Sequence, residues 1–259
     1  MLRDNIIAVH GIMGHPHRTW TCRNGGNLWL RDFLPNKIPT SRILTYGYPA
    51  NLKSRSTLTI SDIAQNLLGQ LRAFGCGHDR PLVFIGHDIG GLVIKAALLN
   101  ARESDNPIWG RTIGIMFMAV PHRGSTLADH SSFNMCVAKM FMSVSGTLLN
   151  QLRTGSSYVE DLSSRFDSIR CSQASPSIVS VFESQETPLS SFETEKGIRV
   201  LLLGRGTKLV VSQKSASLDF SEGYSISGAD HITLCQFPDD KDEGYLRVVK
   251  SLQQLTKIK

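Results

Sequence analysis

The sequence predicts an α/β fold in which helices cover both faces of a mostly parallel, twisted sheet. Three observations lead there. Short uninterrupted runs of β-branched and apolar residues alternate with helical patterns along the chain. Those runs are too apolar for a sheet with one wet face, so both faces must be covered. The chain has 259 residues and a hydrophobic share of 41%, enough for one core of this kind. A single domain over 1–259 is therefore expected.

The strand runs, in order, lie at 6–9, 42–46, 82–85, 113–119 and 178–182, with a last one at either 199–203 or 208–211. Between the second and third, residues 61–74 place Ile63, Leu67, Leu68 and Leu71 on one helical face, and Gly75 and Gly77 stop the helix. Leu92, Val93, Ala96, Ala97 and Leu98 continue the third strand as a helix, and 246–255 reads as a closing helix. Residues 125–175 break the rhythm. They are rich in Ser and Met, with Met135, Met140 and Met142 near Phe133 and Phe141, and are expected as a short helical lid inserted beside the site. A packing excursion without contact to substrate is the alternative.

Composition excludes several classes. The formal charge of +6 is dispersed: basic pairs such as Arg72/Arg80 and Lys208/Lys214 are separated by apolar residues, so no nucleic-acid footprint forms. Five cysteines (Cys22, Cys76, Cys136, Cys171, Cys235) make no C-x-x-C pair, and an odd number argues for reduced thiols rather than a disulfide framework. No run approaches the ~18 apolar residues of a membrane span. The chain enters a strand at Asn5-Ile6-Ile7-Ala8-Val9 with no secretory signal before it, so a cytoplasmic protein is expected.

The chemistry concentrates at Gly86-His87-Asp88-Ile89-Gly90-Gly91, directly after the third strand run. A buried strand running into Gly-x-Nu-x-Gly turns sharply into a helix and lifts the central side chain above the sheet edge. The usual occupant is Ser; here it is Asp88. The turn after the first strand, His10-Gly11-Ile12-Met13-Gly14-His15, is of the kind that supplies one backbone N–H of an oxyanion hole, and the residue after the nucleophile supplies the other. Those would be Ile12 and Ile89, with His10 in a structural role. A base must follow late in the chain, and Asp230-His231 in the polar loop Ser227-Gly228-Ala229 is so placed. The acid belongs after the run 178–182, where Glu183 stands, with Glu186 as second choice. Tyr46, Tyr48 and His122 end strand runs near the same sheet edge. They are candidates for a proton donor or substrate contact, with a turn-stabilising role equally open for His122. No metal or cofactor is called for.

Further motifs are His10-Gly11-x-x-Gly14-His15-Pro16, Trp20-Thr21, Trp29-Leu30-x-Asp32-Phe33-Leu34-Pro35 and Arg42-Ile43-Leu44-Thr45-Tyr46-Gly47-Tyr48. To these add Gly90-Gly91-Leu92-Val93-x-Lys95, Pro121-His122-Arg123-Gly124-Ser125, Lys214-Ser215-Ala216 and Asp230-His231-x-x-x-Cys235-x-Phe237. Together they resemble the fungal branch of lipase-like α/β hydrolases related to the SERAC and DUF676 groups, over nearly the whole chain. The resemblance implies the α/β-hydrolase fold and a catalytic triad at 88, 183 and 231. The family pattern has Ser where this chain has Asp88. Gly-His-Asp-x-Gly also resembles the elbow of epoxide hydrolases and haloalkane dehalogenases, whose larger helical cap has no counterpart here.

An aspartate changes what the elbow does. It is ionised at neutral pH without help from a base, and between Asp88 and Glu183 the imidazole of His231 tends to be held charged. Attack of a carboxylate on an ester carbonyl gives an anhydride, less stable than the ester. Attack on the sp³ carbon of an epoxide gives an ordinary ester, which a water activated by His231 can cleave. The sequence therefore points to an epoxide hydrolase-type enzyme acting on a small lipophilic substrate, such as a fungal polyketide. The alternatives are a non-covalent acid/base cyclase or isomerase, and a disabled serine-esterase relative acting as a binding protein.

Overall fold

The computed structural model describes residues 4–50, 58–124, 148, 151–152, 155–170, 175–188, 207–218 and 221–257. Six parallel strands form one sheet: β1 (Asp4–Val9), β2 (Ser41–Tyr46), β3 (Leu82–His87), β4 (Thr112–Met118), β5 (Ser177–Phe182) and β8 (Glu222–Ser225), in the order β2-β1-β3-β4-β5-β8. The first five agree with the expected runs to within two residues at each end. This is the α/β fold anticipated, with helices on both faces.

The apolar runs are continuous because successive residues enter two different cores. Ile7 and Val9 of β1 and Leu82 and Phe84 of β3 pack on one side, against α3 (Ile60–Ala73) and α4 (Ile89–Glu103). Ile6, Ala8, Val83 and Ile85 face the other side, where Trp20, Trp29, Phe237 and the helix α8 (Glu243–Lys257) close over them. Period-two alternation of side chains thus divides each strand between two dry layers. α3 begins with a capping box, Thr59 Oγ1 accepting from the Asp62 N–H and Asp62 accepting from the Thr59 N–H, which places its start at Ile60.

The last expected strand needs correction. Residues 199–203 lie outside the described residues. The alternative at 208–211 is only the two-residue β7 (Thr207–Lys208), which pairs antiparallel with β6 (Thr187–Pro188) apart from the main sheet. The sixth strand of the sheet is β8, and three of its four residues are exposed. An edge strand lacking cover carries no apolar run, so its sequence reads as a loop.

α5 (Pro107–Arg111) falls where no helix was expected, and α6 (Ser157–Arg170) falls in the stretch expected to hold a short helical lid. α6 lies inside 125–175, and its Val159, Leu162 and Phe166 are buried in the same core as α4. Most of 125–156, including Met135, Met140, Met142, Phe133 and Phe141, lies outside the described residues. The described cysteines, Cys22, Cys76 and Cys235, are buried free thiols.

Candidate active site

Asp88 sits at the junction of β3 and α4 with φ 51° and ψ −131°, a backbone conformation that an L-residue adopts only when its surroundings hold it. The glycines around it provide that hold. A Cβ on Gly90 would stand 2.3 Å from the Val9 carbonyl oxygen, and one on Gly86 would stand 2.7 Å from the Gly91 Cα. The turn can tighten only where no side chain intervenes, as the Gly-x-Nu-x-Gly spacing anticipates. Gly11 serves the same purpose from β1, because a Cβ there would meet the Asp88 Cβ at 2.5 Å.

The turn after β1 is held by His10 and Tyr48. Their rings stack at 4.3 Å and 4°, and the Tyr48 hydroxyl donates to the His10 carbonyl at 2.8 Å. Burial pushes the His10 pKa down to about 4, so the ring is neutral at pH 7. Its Nδ1 lies 2.9 Å from the Gly11 carbonyl oxygen, in keeping with a structural role. The result is an Ile12 N–H aimed at the elbow. It donates to Asp88 Oδ2 at 2.9 Å, and the Ile89 N–H bonds the same carboxylate. The pair of amides read from sequence as an oxyanion hole thus engages the carboxylate of Asp88 itself.

The other oxygen, Oδ1, faces His231 Nε2 at 3.9 Å, and His231 Nδ1 faces Glu183 Oε1 at 3.6 Å. Asp88, Glu183 and His231 are all buried. Glu183 is anchored by the backbone N–H of Val211 at 2.6 Å and that of Val210 at 3.4 Å. Burial acts to lower the His231 pKa, but Glu183 first and then Asp88 and Asp230 outweigh it, and the pKa is raised. Burial pushes Asp88 upward, opposed by His231 and by the two amides. The two carboxylates thus favour the charged form of the imidazole that stands between them.

The remaining candidates divide differently. Glu186 accepts from the exposed Thr207 hydroxyl, binding β6 to β7 and leaving the site to Glu183. Tyr46 donates to the Ile63 carbonyl at 3.0 Å, and Tyr48 to His10 as above. Both hydroxyl protons are committed to backbone, and burial raises both pKa values, that of Tyr46 to about 12. The expectation that either acts as a proton donor is corrected on that ground. His122 is buried edge-on to Phe117 at 4.8 Å, its backbone N–H donating to the Val120 and Ser215 carbonyls. Among the described residues, none of its hydrogen bonds or ring contacts runs to Asp88, Glu183 or His231.

Two residues at the site gave little signal in the sequence. Thr187, fully buried, accepts from the His231 N–H at 3.0 Å. His87, a variable position of the elbow, places Nε2 2.9 Å from the His231 carbonyl oxygen. Among the described residues no group of three or more His, Cys, Asp or Glu is arranged to hold a metal.

No family model matches the chain. Over 153 residues it is 31% identical to Protein SERAC1 from Mus musculus, covering 50% of this chain and 23% of the mouse protein. The chain therefore spans about a quarter of the length of that relative. Among solved structures, phospholipase PlaB from Legionella pneumophila superposes with a TM-score of 0.66 at 15% identity, covering 99% of this chain and 63% of that one. The lipase BlEst2 from Bacillus licheniformis, in mature form, does so with a TM-score of 0.62 at 16% identity, covering 98% and 92%. Likeness at this identity establishes the α/β-hydrolase fold.

Proposed function

We propose that the protein is a hydrolase that uses Asp88 as a covalent nucleophile on an sp³ carbon, with a lipophilic epoxide as its substrate class. One observation carries the reading: the two oxygens of Asp88 have different surroundings. Oδ2 accepts from the Ile12 amide, the Ile89 amide bonds the same carboxylate, and Oδ1 faces the imidazole of His231. A serine in an oxyanion hole points its hydroxyl at substrate and leaves the amides for the substrate's carbonyl oxygen. Here the amides are already engaged with the enzyme's own carboxylate.

That arrangement suits a two-step reaction. Oδ1 attacks an epoxide carbon, the C–O bond breaks, and the departing alkoxide takes the proton of His231, whose imidazolium is the acid facing the attack. The ester formed has Oδ2 as its carbonyl oxygen, already accepting from the Ile12 amide, with the Ile89 amide at the same carboxyl group. Neutral His231 then removes a proton from water as it adds to that carbonyl, and the amides stabilise the charge that grows on Oδ2. Collapse expels the second oxygen of the diol, which takes the proton from His231. The carboxylic acid of Asp88 then gives its proton to His231, restoring the starting charges. Glu183 steadies the imidazolium throughout. The same occupied amide pair disfavours direct ester hydrolysis, because a substrate carbonyl has no vacant hole to enter. The lipid-directed names of the structural neighbours support a hydrolase and a lipophilic substrate. The single domain expected over 1–259 remains part of the proposal. No helix among the described residues is long and apolar enough to cross a membrane.

The test is intact mass spectrometry after incubation with lipophilic epoxides, styrene oxide first. Acid quench of the unmodified enzyme during the first turnover is expected to give a protein heavier by one substrate, mapped to the peptide containing Asp88, while His231→Gln, which lacks both the acid of the first step and the base of the second, forms no diol. Single-turnover reaction of the unmodified enzyme in H₂¹⁸O places the label in Asp88 before it appears in the diol. Label appearing directly in the product, with no adduct in the quenched unmodified enzyme, overturns the covalent reading and makes Asp88 a base acting on water.

A further inference from the structure

His231 stands at distances that need an explanation. Its nitrogens are 3.9 Å from Asp88 Oδ1 and 3.6 Å from Glu183 Oε1. A charged imidazole free to move between two carboxylates would close on one of them to a charge-assisted bond of about 2.7–2.9 Å. Something other than the carboxylates fixes the ring between them.

The restraint is on its main chain. At one end, the His231 N–H donates to Thr187 Oγ1 at 3.0 Å. At the other, the His231 carbonyl lies 2.9 Å from His87 Nε2. His87 is buried, its ring 4.8 Å from that of His231 and edge-on to Trp20 at 6.5 Å. Among the described residues its Nδ1 has no hydrogen-bond partner. Burial first, and the neighbouring positive charge of His231 second, push its pKa well below the usual histidine value. The ring is therefore neutral, and because a carbonyl only accepts, its one proton is on Nε2. His87 donates and His231 receives.

We infer that His87 and Thr187 form a main-chain clamp that holds the His231 imidazole between Asp88 and Glu183, which makes His87 a positioning residue for the base. The inference rests on His231 acting as the base proposed above. The clamp joins the last residue of β3 to the loop of the acid, so the nucleophile's strand and the acid's loop locate the base together. Its chemical value lies in the gap. A ring collapsed onto Asp88 would be blocked from the ester carbonyl, whereas a ring held short of contact reaches a water above it.

The first test needs no substrate. The ring of His231 is followed by ¹H–¹⁵N NMR over a pH series in the unmodified protein, His87→Leu, His87→Gln and Thr187→Val. Leu removes the donor, Gln keeps an N–H at similar reach, and Val removes the acceptor while keeping the shape of Thr. His87→Leu and Thr187→Val are expected to lower the His231 titration midpoint toward that of an ordinary histidine, and His87→Gln to keep it. Midpoints unchanged in both loss variants overturn the clamp.

The second test is kinetic, with styrene oxide. At pH 6, where an imidazole with an ordinary midpoint near 6.5 is still mostly charged, ester formation in His87→Leu should stay within about threefold of the unmodified protein, while ester hydrolysis falls about tenfold, the worth of one hydrogen bond. Equal slowing of both steps with an unmoved midpoint would mean a merely structural role and would also overturn it. Absence of any adduct in the unmodified protein sinks the covalent reading instead, and the midpoints still decide the clamp.

Discussion

In the proposed reaction the carboxylate at position 88 decides the reaction type, since it bonds the Ile12 and Ile89 amides and faces the His231 imidazole. Asp88→Asn keeps the shape and the hydrogen-bond acceptor but removes the nucleophile. We expect at least about a thousandfold loss of turnover with unchanged circular dichroism, measured by diol formation. Asp88→Ser is the sharper exchange, since it vacates the amides of Ile12 and Ile89 and leaves His231 with one carboxylate neighbour. It should confer hydrolysis of p-nitrophenyl esters that disappears in the double variant with His231→Gln. Ester hydrolysis already faster in the unmodified protein would contradict the argument from the occupied amides. At this scale much of the site was legible beforehand. Chain order and motif name Asp88, Glu183, His231, Ile12 and Ile89, and the structure brings these five together, because strand ends impose where such residues stand. Tyr46 and Tyr48 were misjudged because a sequence does not reveal which hydroxyl already has a backbone partner. Thr187 was missed because an isolated threonine in a loop has no pattern.

Helix α4 carries the elbow at one end and, two turns on, a fully buried amine. Lys95 has no exposed surface, lies over the rings of Phe166 and Phe117 at 5.2 and 5.9 Å, and donates to Ser163 Oγ of α6 at 3.3 Å. Burial lowers its pKa to about 7, against the pull of Asp167 and with a smaller push from Arg123. The unfolded chain binds this proton more tightly, so between about pH 7 and 10.5 the folded state gains stability as pH rises. Below pH 7 the cost is constant and at its largest. Lys95→Met should therefore stabilise the protein at pH 6–7 by a few kcal/mol, with the gain shrinking toward pH 10. Thermal melts of both proteins at pH 6, 8 and 10 measure it, and a pH-independent difference would refute a titrating buried amine. Elements were legible in proportion to their cover: β1 to β5, α3 and α8 advertise themselves by apolar periodicity. β8 does not, because an edge strand with three exposed residues of four has no such pattern to show.

For the molecule as a whole, the charged state of the triad ties reaction to acidity. His231 is raised in the folded protein by Glu183, Asp88 and Asp230. The stability it contributes is present in full below the unfolded histidine value near 6.5 and is lost as pH rises through the higher folded value. The ring-opening step, which needs the imidazolium, should fall over the same rise. Stopped-flow measurement of ester formation between pH 6 and 9 should give a single descending limb, and a flat profile would remove His231 as the acid. The sheet order explains why one exchange can redirect the chemistry without disturbing the fold. The amides, the nucleophile and the acid stand at the ends of β1, β3 and β5, and a separate loop delivers the base. The side chains of Asp88, Glu183 and His231 are in neither of the two hydrophobic cores that flank the sheet. The crowding around the elbow has the opposite consequence. Where a Cβ on Gly90 would stand 2.3 Å from a carbonyl oxygen, inheritance has one letter to choose from. At Gly69, where nothing lies within 4 Å, drift is free. The reactive residue is thus easier to replace than the empty space beside it, and lineages sharing this frame can part in chemistry long before they part in shape.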